Sequence, residues 1–225
     1  MQGIVQIAGV ADRAEAMMLV EAGVHQIGFP LGLPVHKDDI SVEDAAEIIR
    51  LLKPPASAVL ITYLSRAEDI LEISKKIGVN KVQLHGRISP AEIVRLKSIA
   101  PDLTVIKSLI VGSDNFAELE AFVAGFSSHC DAFITDTYDP ATGACGATGR
   151  VHDWDISRRL RDISPKPVML AGGLNPDNVR KAIAYVRPAG VDAHTGVEGS
   201  DGRKDAVLVR AFMREALAGF QNSSP

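Results

Sequence analysis

The stretch Leu170-Ala171-Gly172-Gly173-Leu174-Asn175-Pro176 decides how this chain is interpreted, together with a second glycine loop, His194-Thr195-Gly196-Val197-Glu198-Gly199. Each loop follows a short apolar run, over residues 167–171 and 190–193, and each precedes a helical pattern. Glycine lets backbone N–H groups approach an anion closely, and a helix N-terminus adds a partial positive charge. One such loop is typical of an ordinary strand-to-helix turn, whereas the pair predicts a shared phosphate site.

Six further apolar runs, rich in Val and Ile, precede these loops and alternate with helical patterns, as strands buried on both faces do. The eight predicted strands cover residues 3–7, 26–29, 58–62, 81–84, 104–108, 132–135, 167–171 and 190–193. Strand–helix units at roughly 25-residue intervals predict a single α/β domain over residues 1–225, a (β/α)8 TIM barrel with a parallel eight-stranded core. The alternative is an open doubly wound sheet, but no Gly-x-Gly-x-x-Gly follows the first strand.

The predicted helices begin with a recurrent capping pattern, in which a capping side chain stands three residues before an acid. The pairs are Asp12/Glu15, Ser41/Asp44, Ser65/Glu68 and Ser89/Glu92. Later helices are predicted to start at Asp114, Asp153, Asp205 and Asn175, the last with Pro176 in its first turn.

Composition limits the classes of function. A net charge of −4 provides no global basic field, which argues against nucleic acid as the main partner. No apolar run reaches the roughly 18 residues that a membrane span needs, and residues 1–10 lack the pattern of a signal peptide. Cys130 and Cys145 fit neither a disulfide framework nor a metal spacing. We expect a cytoplasmic monomer or homodimer without membrane partner, metal or other cofactor, acting on a small phosphorylated sugar.

The active site of such a barrel gathers at the carboxyl ends of its strands. Two connections there are long, at residues 30–40 and 136–152, and loops of that length usually bind or cover substrate. The candidate side chains at the strand ends are Gln6, His36, Lys37, His85, Lys107, Asp136, Asn175, His194, Thr195 and Glu198.

Four of the chemically active residues have two interpretations each. Partial burial at the end of the run 133–135 would raise the pKa of Asp136 and suit it to general acid catalysis, but it could equally cap a loop turn. His85 is either a donor to substrate or a ring that pins its loop through backbone hydrogen bonds. His36 is either solvated or part of a lid. Cys145 becomes a nucleophile only if a nearby cation lowers its pKa.

Further motifs follow in order along the chain: Gln83-Leu84-His85-Gly86, Thr135-Asp136-Thr137, Gly146-Ala147-Thr148-Gly149 with Asp153-Trp154, Leu170 to Val179, Gly190-Val191-Asp192, and Thr195-Gly196-Val197-Glu198. This series resembles the phosphoribosylanthranilate isomerase family of tryptophan biosynthesis over nearly the whole chain. The resemblance implies a (β/α)8 barrel and an Amadori rearrangement, in which a base removes the C2 proton of an N-linked phosphoribose and an acid protonates the ring oxygen.

By position, the resemblance makes Asp136 the general acid, with His85 and His36 as further catalytic candidates. The glycine loops would grip the phosphate, and the backbone of the Gly146–Gly149 loop would lie near the substrate. The predicted phosphate-binding residues are Gly146, Gly149, Gly172, Gly173, His194, Thr195 and Gly196.

The sequence departs from the family pattern at two places. Members usually read Lys-Ile-Cys-Gly at the end of the first strand, where the cysteine is the general base, but here the run is Gln6-Ile7-Ala8-Gly9. The family's Ser-Pro-Arg-Tyr after the second strand, whose arginine holds the anthranilate carboxylate, becomes His36-Lys37-Asp38-Asp39. Loss of a general base typically costs about 10²–10⁴ in rate.

Three functional hypotheses follow. The first is the isomerase itself, with a substitute base drawn from His36, Cys145 or His194. The second is an enzyme that binds another sugar phosphate on the same barrel and uses Asp136 as acid. The third is a phosphosugar-binding protein without catalysis, which the presence of Asp136 and His85 disfavours because binding alone needs neither.

Overall fold

A closed ring of eight parallel strands forms the centre of the protein, seen in a computed structural model that describes residues 3–33, 40–112, 115–139, 144–145 and 151–223. Each strand pairs with the next, and the last pairs with the first, so the predicted (β/α)8 barrel is confirmed. The strands of the barrel are β1 (Ile4–Ala8), β2 (Gln26–Pro30), β3 (Ser57–Thr62), β4 (Lys81–Leu84), β5 (Thr104–Val111), β6 (Ala132–Asp139), β8 (Val168–Leu170) and β9 (Gly190–Ala193).

Helices follow the strands in the described ranges of the chain. They are α1 (Arg13–Glu21), α2 (Val42–Ile49), α3 (Ala67–Ile77), α4 (Pro90–Ile99), α5 (Phe116–Phe126), α6 (Trp154–Ile163), α7 (Val179–Val186) and α8 (Ala206–Ser223). The second glycine loop itself contains a short 3₁₀ helix, Thr195–Val197, and α8 begins after it at Ala206.

Two strands exceed the predicted ranges by three residues or more. β5 continues to Val111 because its parallel ladder with β6 extends to the pair Val111–Thr137, and β6 continues to Asp139 because its last two residues pair with the next short strand. The two-residue strand β7 (Ala144–Cys145) then pairs antiparallel with the end of β6. Its length is too short for an alternating or apolar pattern to predict it.

Most of the predicted caps are confirmed. Asp12, Ser41, Ser89 and Asp153 accept hydrogen bonds from the first turns of α1, α2, α4 and α6. Asp205 does the same for α8, at 2.7 Å from the backbone N of Val207 and 2.9 Å from that of Leu208.

Two caps were predicted wrongly, and one is untested. Helix α3 is preceded by Arg66, not Ser65, and Glu92 of α4 accepts the backbone N–H of Ala67 at 2.7 Å, so the cap comes from a neighbouring helix. Helix α7 begins at Val179, which places Pro176 in the preceding turn and not in the helix. Asp114 lies outside the described residues.

The strands alternate between two environments. Val5 and Ile7 of β1 pack in the main core between the barrel and its helices, whereas Gln6 and Ala8 face the barrel interior. Apolar side chains around Met169 fill the bottom of the interior, and polar groups occupy its upper part. The chemistry of the barrel therefore lies above a closed apolar floor.

Charged side chains reinforce the junction of β1 with β9. Glu15 of α1 accepts hydrogen bonds at Oε1 from Arg203 Nε at 2.7 Å and from the backbone N of Lys204 at 2.9 Å. Arg203 also pairs with Asp12, and this hydrogen bond is the main reason that the pKa of Asp12 is lowered. The two ends of the chain are thus fastened together.

No helix in the described ranges is long and apolar enough to cross a membrane. Within the same ranges, no three His, Cys, Asp or Glu side chains are grouped so that they could hold a metal ion.

Candidate active site

Asp136 projects from β6 into the upper part of the barrel. Its side chain is 13% exposed, and Oδ1 accepts the backbone N–H of Thr137 at 2.7 Å. Burial raises the pKa of Asp136, while the charge of His85 and the Thr137 hydrogen bond act in the opposite direction. A carboxyl with a raised pKa retains its proton more readily near neutral pH, which a general acid requires.

His85 lies beside Asp136. Its Nε2 is 4.0 Å from Asp136 Oδ2, and its Nδ1 lies 3.0 Å from the hydroxyl of Ser108 on β5. The ring also meets the ring of Tyr63 edge to face, with centroids 4.9 Å apart. These contacts fix the imidazole against the carboxyl, so His85 is oriented toward the acid.

Lys107 was predicted as a candidate side chain of the active site at the barrel mouth, but it lies on the outer side of β5. Its Nζ donates to the carbonyl oxygens of Leu84 at 2.9 Å and Gly86 at 3.0 Å, and it stands 5.5 Å from the ring centre of Phe122. Burial lowers the pKa of Lys107 to about 8. The ammonium group thereby anchors the loop that carries His85.

The two glycine loops pack directly against each other. Gly172 and Gly173 have φ values of +94° and +63°, which side chains rarely adopt. A Cβ on Gly172 would stand 2.2 Å from the Thr137 hydroxyl, and one on Gly196 would stand 1.9 Å from the carbonyl oxygen of Leu174. Glycine is required at both places because neighbouring chain fills the space of a side chain.

Asparagines hold the first glycine loop in shape. Asn178 donates from Nδ2 to the carbonyl oxygen of Gly173 at 2.9 Å and accepts the backbone N–H of Asn175 at 2.9 Å. Asn175 in turn accepts the backbone N–H of Asp177 at 2.9 Å. The side chain of Asn175 therefore stabilises a turn ahead of α7.

His194 lies over the end of β1. Its Nε2 is 2.0 Å from the position that a Cβ on Gly9 would take, so the imidazole packs against Gly9, the residue that follows Ala8. Nε2 is also 3.5 Å from Glu198 Oε1, and the same carboxylate oxygen accepts Lys204 Nζ at 2.5 Å. The ring thus stands beside a carboxylate that can stabilise its protonated form.

Sequence reasoning missed a histidine that is hydrogen-bonded to the residue after the acid. His152 Nδ1 lies 2.9 Å from Thr137 Oγ1, and its Nε2 lies 2.6 Å from Ser157 Oγ in α6. Burial lowers the pKa of His152 to about 4, so the ring is neutral at physiological pH. It connects the end of β6 to α6 and helps fix the strand that carries Asp136.

A second missed group is the carboxyl of Asp192, which faces the barrel interior beside Gln6. The available signal was a single carboxyl in the otherwise apolar or small run Gly190–Ala193. In a parallel strand buried on both faces, a charged residue has to have a specific environment.

Several predicted site residues cannot be placed. His36, Gly146 and Gly149 lie outside the described residues, as does most of the loop around them. For Cys145, the structure describes the pairing of its strand but not its side chain.

Comparison with known proteins gives a consistent result. The family model described as N-(5′-phosphoribosyl)anthranilate (PRA) isomerase matches residues 5–215. N-(5′-phosphoribosyl)anthranilate isomerase 2 of Methanosarcina mazei is 37% identical over 218 residues, covering 96% of this chain and 95% of that protein. The isomerase of Desulforudis audaxviator is 37% identical over 217 residues, covering 95% and 99% of the two chains.

Solved structures agree. Phosphoribosyl anthranilate isomerase of Thermotoga maritima has a TM-score of 0.80 at 34% identity, over 96% of this chain and 98% of that one. An isomerase in complex with reduced 1-(o-carboxyphenylamino)-1-deoxyribulose 5-phosphate has a TM-score of 0.77 at 32% identity, with the same coverage.

Proposed function

Because this chain belongs to the N-(5′-phosphoribosyl)anthranilate isomerase family, we propose that it catalyses the Amadori-type isomerisation of N-(5′-phosphoribosyl)anthranilate in tryptophan biosynthesis. The observation that carries the proposal is a buried carboxyl, Asp136, whose pKa is raised by burial and which lies beside His85. We further propose that the enzyme works in the cytoplasm, as a monomer or homodimer, without cofactor.

In the proposed reaction, Asp136 is the general acid. Its carboxylic acid gives a proton to the ring oxygen of the phosphoribose, the bond from C1 to that oxygen breaks, and the nitrogen lone pair forms a protonated imine with C1. An imidazolium at His85, with Nε2 4.0 Å from Asp136 Oδ2, would stabilise the carboxylate left behind.

We assign the general base to His194. Its imidazole takes the C2 proton, the electrons of that bond form a C1–C2 double bond, and the π electrons of the C1–N bond return to the nitrogen. The resulting enolamine loses its hydroxyl proton as C1 gains one. The ring packs against Gly9, and the preceding residue, Ala8, stands where the family pattern has its cysteine. Glu198, 3.5 Å from Nε2, would stabilise the imidazolium.

The phosphate of the substrate is proposed to bind the backbone N–H groups of the glycine loops. The support is the contact of Gly196 with the carbonyl of Leu174, which brings the two loops to one place at the barrel mouth. Loops that follow the last two strands of this architecture frequently bind phosphate. Gly146 and Gly149, which lie outside the described residues, remain part of the proposal.

A second candidate function is an isomerase for another N-linked sugar phosphate. It is favoured by the residues 36–39, which supply no arginine to pair with the anthranilate carboxylate. A bidentate arginine contact is among the stronger charge-assisted hydrogen bonds, so its replacement by lysine or histidine changes how a carboxylate is recognised.

The test compares two substrates with the purified protein: N-(5′-phosphoribosyl)anthranilate and the aniline analogue that lacks only the carboxylate. We expect turnover of the anthranilate compound, with Asp136→Asn prepared in parallel to exclude a contaminating host enzyme. Growth of a tryptophan auxotroph lacking this isomerase should be restored by the wild-type gene.

Equal kcat/KM for both compounds would favour the second candidate, because the carboxylate would then contribute nothing to recognition. Absence of both turnover and growth would contradict the proposed function.

A further inference from the structure

A polar layer crosses the barrel interior below Ala8 and consists of Gln6, Gln26, Gln83 and Asp192. All four side chains are buried. Gln6 is the Cα partner of Gln26 on β2 and of Asp192 on β9, so the three stand side by side. Gln6 Nε2 donates to Gln83 Oε1 at 2.9 Å across the interior.

The polar layer has more acceptors than donors. Gln6 Oε1, Gln26 Oε1 and Asp192 Oδ1 are buried and have no hydrogen-bond partner among the described residues. Buried acceptors without a partner are destabilising, and an ionised carboxylate adds acceptors only. A protonated carboxyl supplies one O–H donor, which can bind one of these unpartnered acceptors.

The amide of Gln6 can receive that hydrogen bond. A half-turn about its terminal bond exchanges the oxygen and nitrogen positions without moving the rest of the side chain. In the structure the Gln6 amide donates to Asp192, which acts to lower the pKa of that carboxyl. After the exchange the oxygen stands where this donor stood, and a matching half-turn of Gln83 preserves the hydrogen bond between the two amides. The hydrogen bond from Asp192 therefore needs no change of backbone.

Two charged groups face Asp192: Asp136 from β6 and Lys204 from the segment before α8. Burial, and next the charge of Asp136, raise the pKa of Asp192 to about 7, whereas Gln6 and Lys204 act to lower it. Lys204 Nζ is already engaged with Glu198 Oε1 at 2.5 Å and with the carbonyl oxygen of His194 at 3.2 Å. Its charge is therefore largely balanced by Glu198.

We propose that Asp192 is a positioning residue for the isomerisation. It holds a proton in the resting protein and donates a hydrogen bond to the Gln6 amide oxygen. Of the two carboxyls, Asp136 is then the one whose charge changes during the reaction. The proposal rests on the proposed function, because its catalytic consequence is exerted through Asp136.

The consequence concerns the moment at which Asp136 gives up its proton. A negative charge then appears at the top of the barrel interior. A neutral Asp192 does not repel that charge, whereas an ionised Asp192 opposes it and makes Asp136 a weaker acid. Because two interacting carboxyls titrate as a pair, protonation of one controls the acid strength of the other.

A spectroscopic experiment tests the protonation without reference to activity. Infrared spectra at pH 5.5 are compared for Asp136→Asn and for the double variant Asp136→Asn/Asp192→Asn. Exposed aspartates, with an ordinary pKa of about 4, are mostly ionised at this pH. We expect a protonated-carboxyl band in the single variant and its loss in the double variant. The same spectrum in both would overturn the proposal, even if the protein does isomerise its substrate.

A kinetic experiment then tests the positioning role. Asn at position 192 is neutral at every pH. Asp192 of the wild type, with a pKa of about 7, is only about one-tenth protonated at pH 8. The kcat of Asp192→Asn relative to wild type should therefore rise about tenfold between pH 6 and pH 8. A ratio that stays constant across this range would overturn the role in catalysis.

Thr135→Val is the matched control, because it removes another buried, unpartnered polar atom from the neighbouring part of the barrel without touching Asp192. It should leave both the infrared band and the pH profile unchanged. If Asp192→Asn fails to fold, carboxyl ¹³C NMR of Asp136→Asn protein supplies the answer: no aspartate titrating well above the ordinary range would overturn the proposal.

Discussion

Two regions in the upper part of the barrel depend on different chemical groups, one on backbone and the other on side chains. The glycine-loop region, around Gly172, Gly173 and Gly196, consists of backbone in conformations that exclude side chains. The carboxyl region, around Asp136 and Asp192, consists of buried side chains whose charge depends on their neighbours. The first can be recognised in a sequence from its glycines, whereas the second acquires its properties only when the barrel closes.

This difference also separates the two steps of the proposed catalysis. Binding through backbone N–H groups needs geometry alone, and glycine secures it. Proton transfer needs particular side chains at particular protonation states, and those change when one neighbour is replaced. A family member can therefore retain its glycine loops while Ala8 stands at the position of the usual base.

The largest effect is expected in the carboxyl region. Asp136→Asn should lower kcat by about 10²–10⁴, the usual contribution of a general acid, because the amide cannot protonate the ring oxygen. Binding of a reduced, unreactive product analogue, measured by calorimetry, should be nearly unchanged. Full activity in this variant would remove Asp136 from the mechanism.

A somewhat smaller effect is expected at the boundary between the two regions. His194→Gln should lower kcat by about 10², because the variant lacks the base but retains a side chain of similar size. Ala8→Cys should change the wild-type rate little and should restore part of the rate in the His194→Gln background. If His194→Gln is fully active, the base lies elsewhere, and His36 and Cys145 become the next variants to measure.

The smallest effect is expected in the glycine-loop region. Gly196→Ala forces the loop away from the Leu174 carbonyl oxygen, since the new Cβ would stand 1.9 Å from it. We expect KM for the phosphorylated substrate to rise about tenfold with a smaller change in kcat, as for an interaction used in binding.

Gly125→Ala is the control for this variant, because nothing lies within 4 Å of a Cβ at that position of α5. It should leave KM unchanged and should stabilise the helix slightly. An unaltered KM in Gly196→Ala would mean that the phosphate binds away from this loop.

The parts of the fold that local chemistry determines could be predicted. Strand positions followed from the apolar runs, and caps such as Asp12 and Ser89 followed from spacing within one helix start. The cap of α3 could not be predicted, because its acceptor is Glu92 of another helix. The apolar run before Asp136 predicted that this carboxyl lies at the mouth of the barrel. Its raised pKa depends on burial, which only the folded barrel provides.

Contacts between groups on different strands could not be predicted either, because they too depend on how the folded barrel brings distant segments together. His194 lies over Gly9 because β9 pairs with β1, and the two are separated by most of the chain. The same pairing sets Asp192 beside Gln6. A pattern within one segment carries no information about which neighbour the closed ring will supply.

The junction of β1 with β9 has a consequence for synthesis. Glu15 near the start of the chain binds Arg203 and Lys204 near its end, and Lys204 in turn holds Glu198 beside His194. Contacts between such distant residues require closure of a very long loop, which delays them during folding. On a ribosome the first strand has no permanent partner on one side until the last strand has emerged. We therefore expect nascent chains that stop before residue 190 to lack the proposed base together with the closed barrel, so that the enzyme becomes active only when translation is nearly complete.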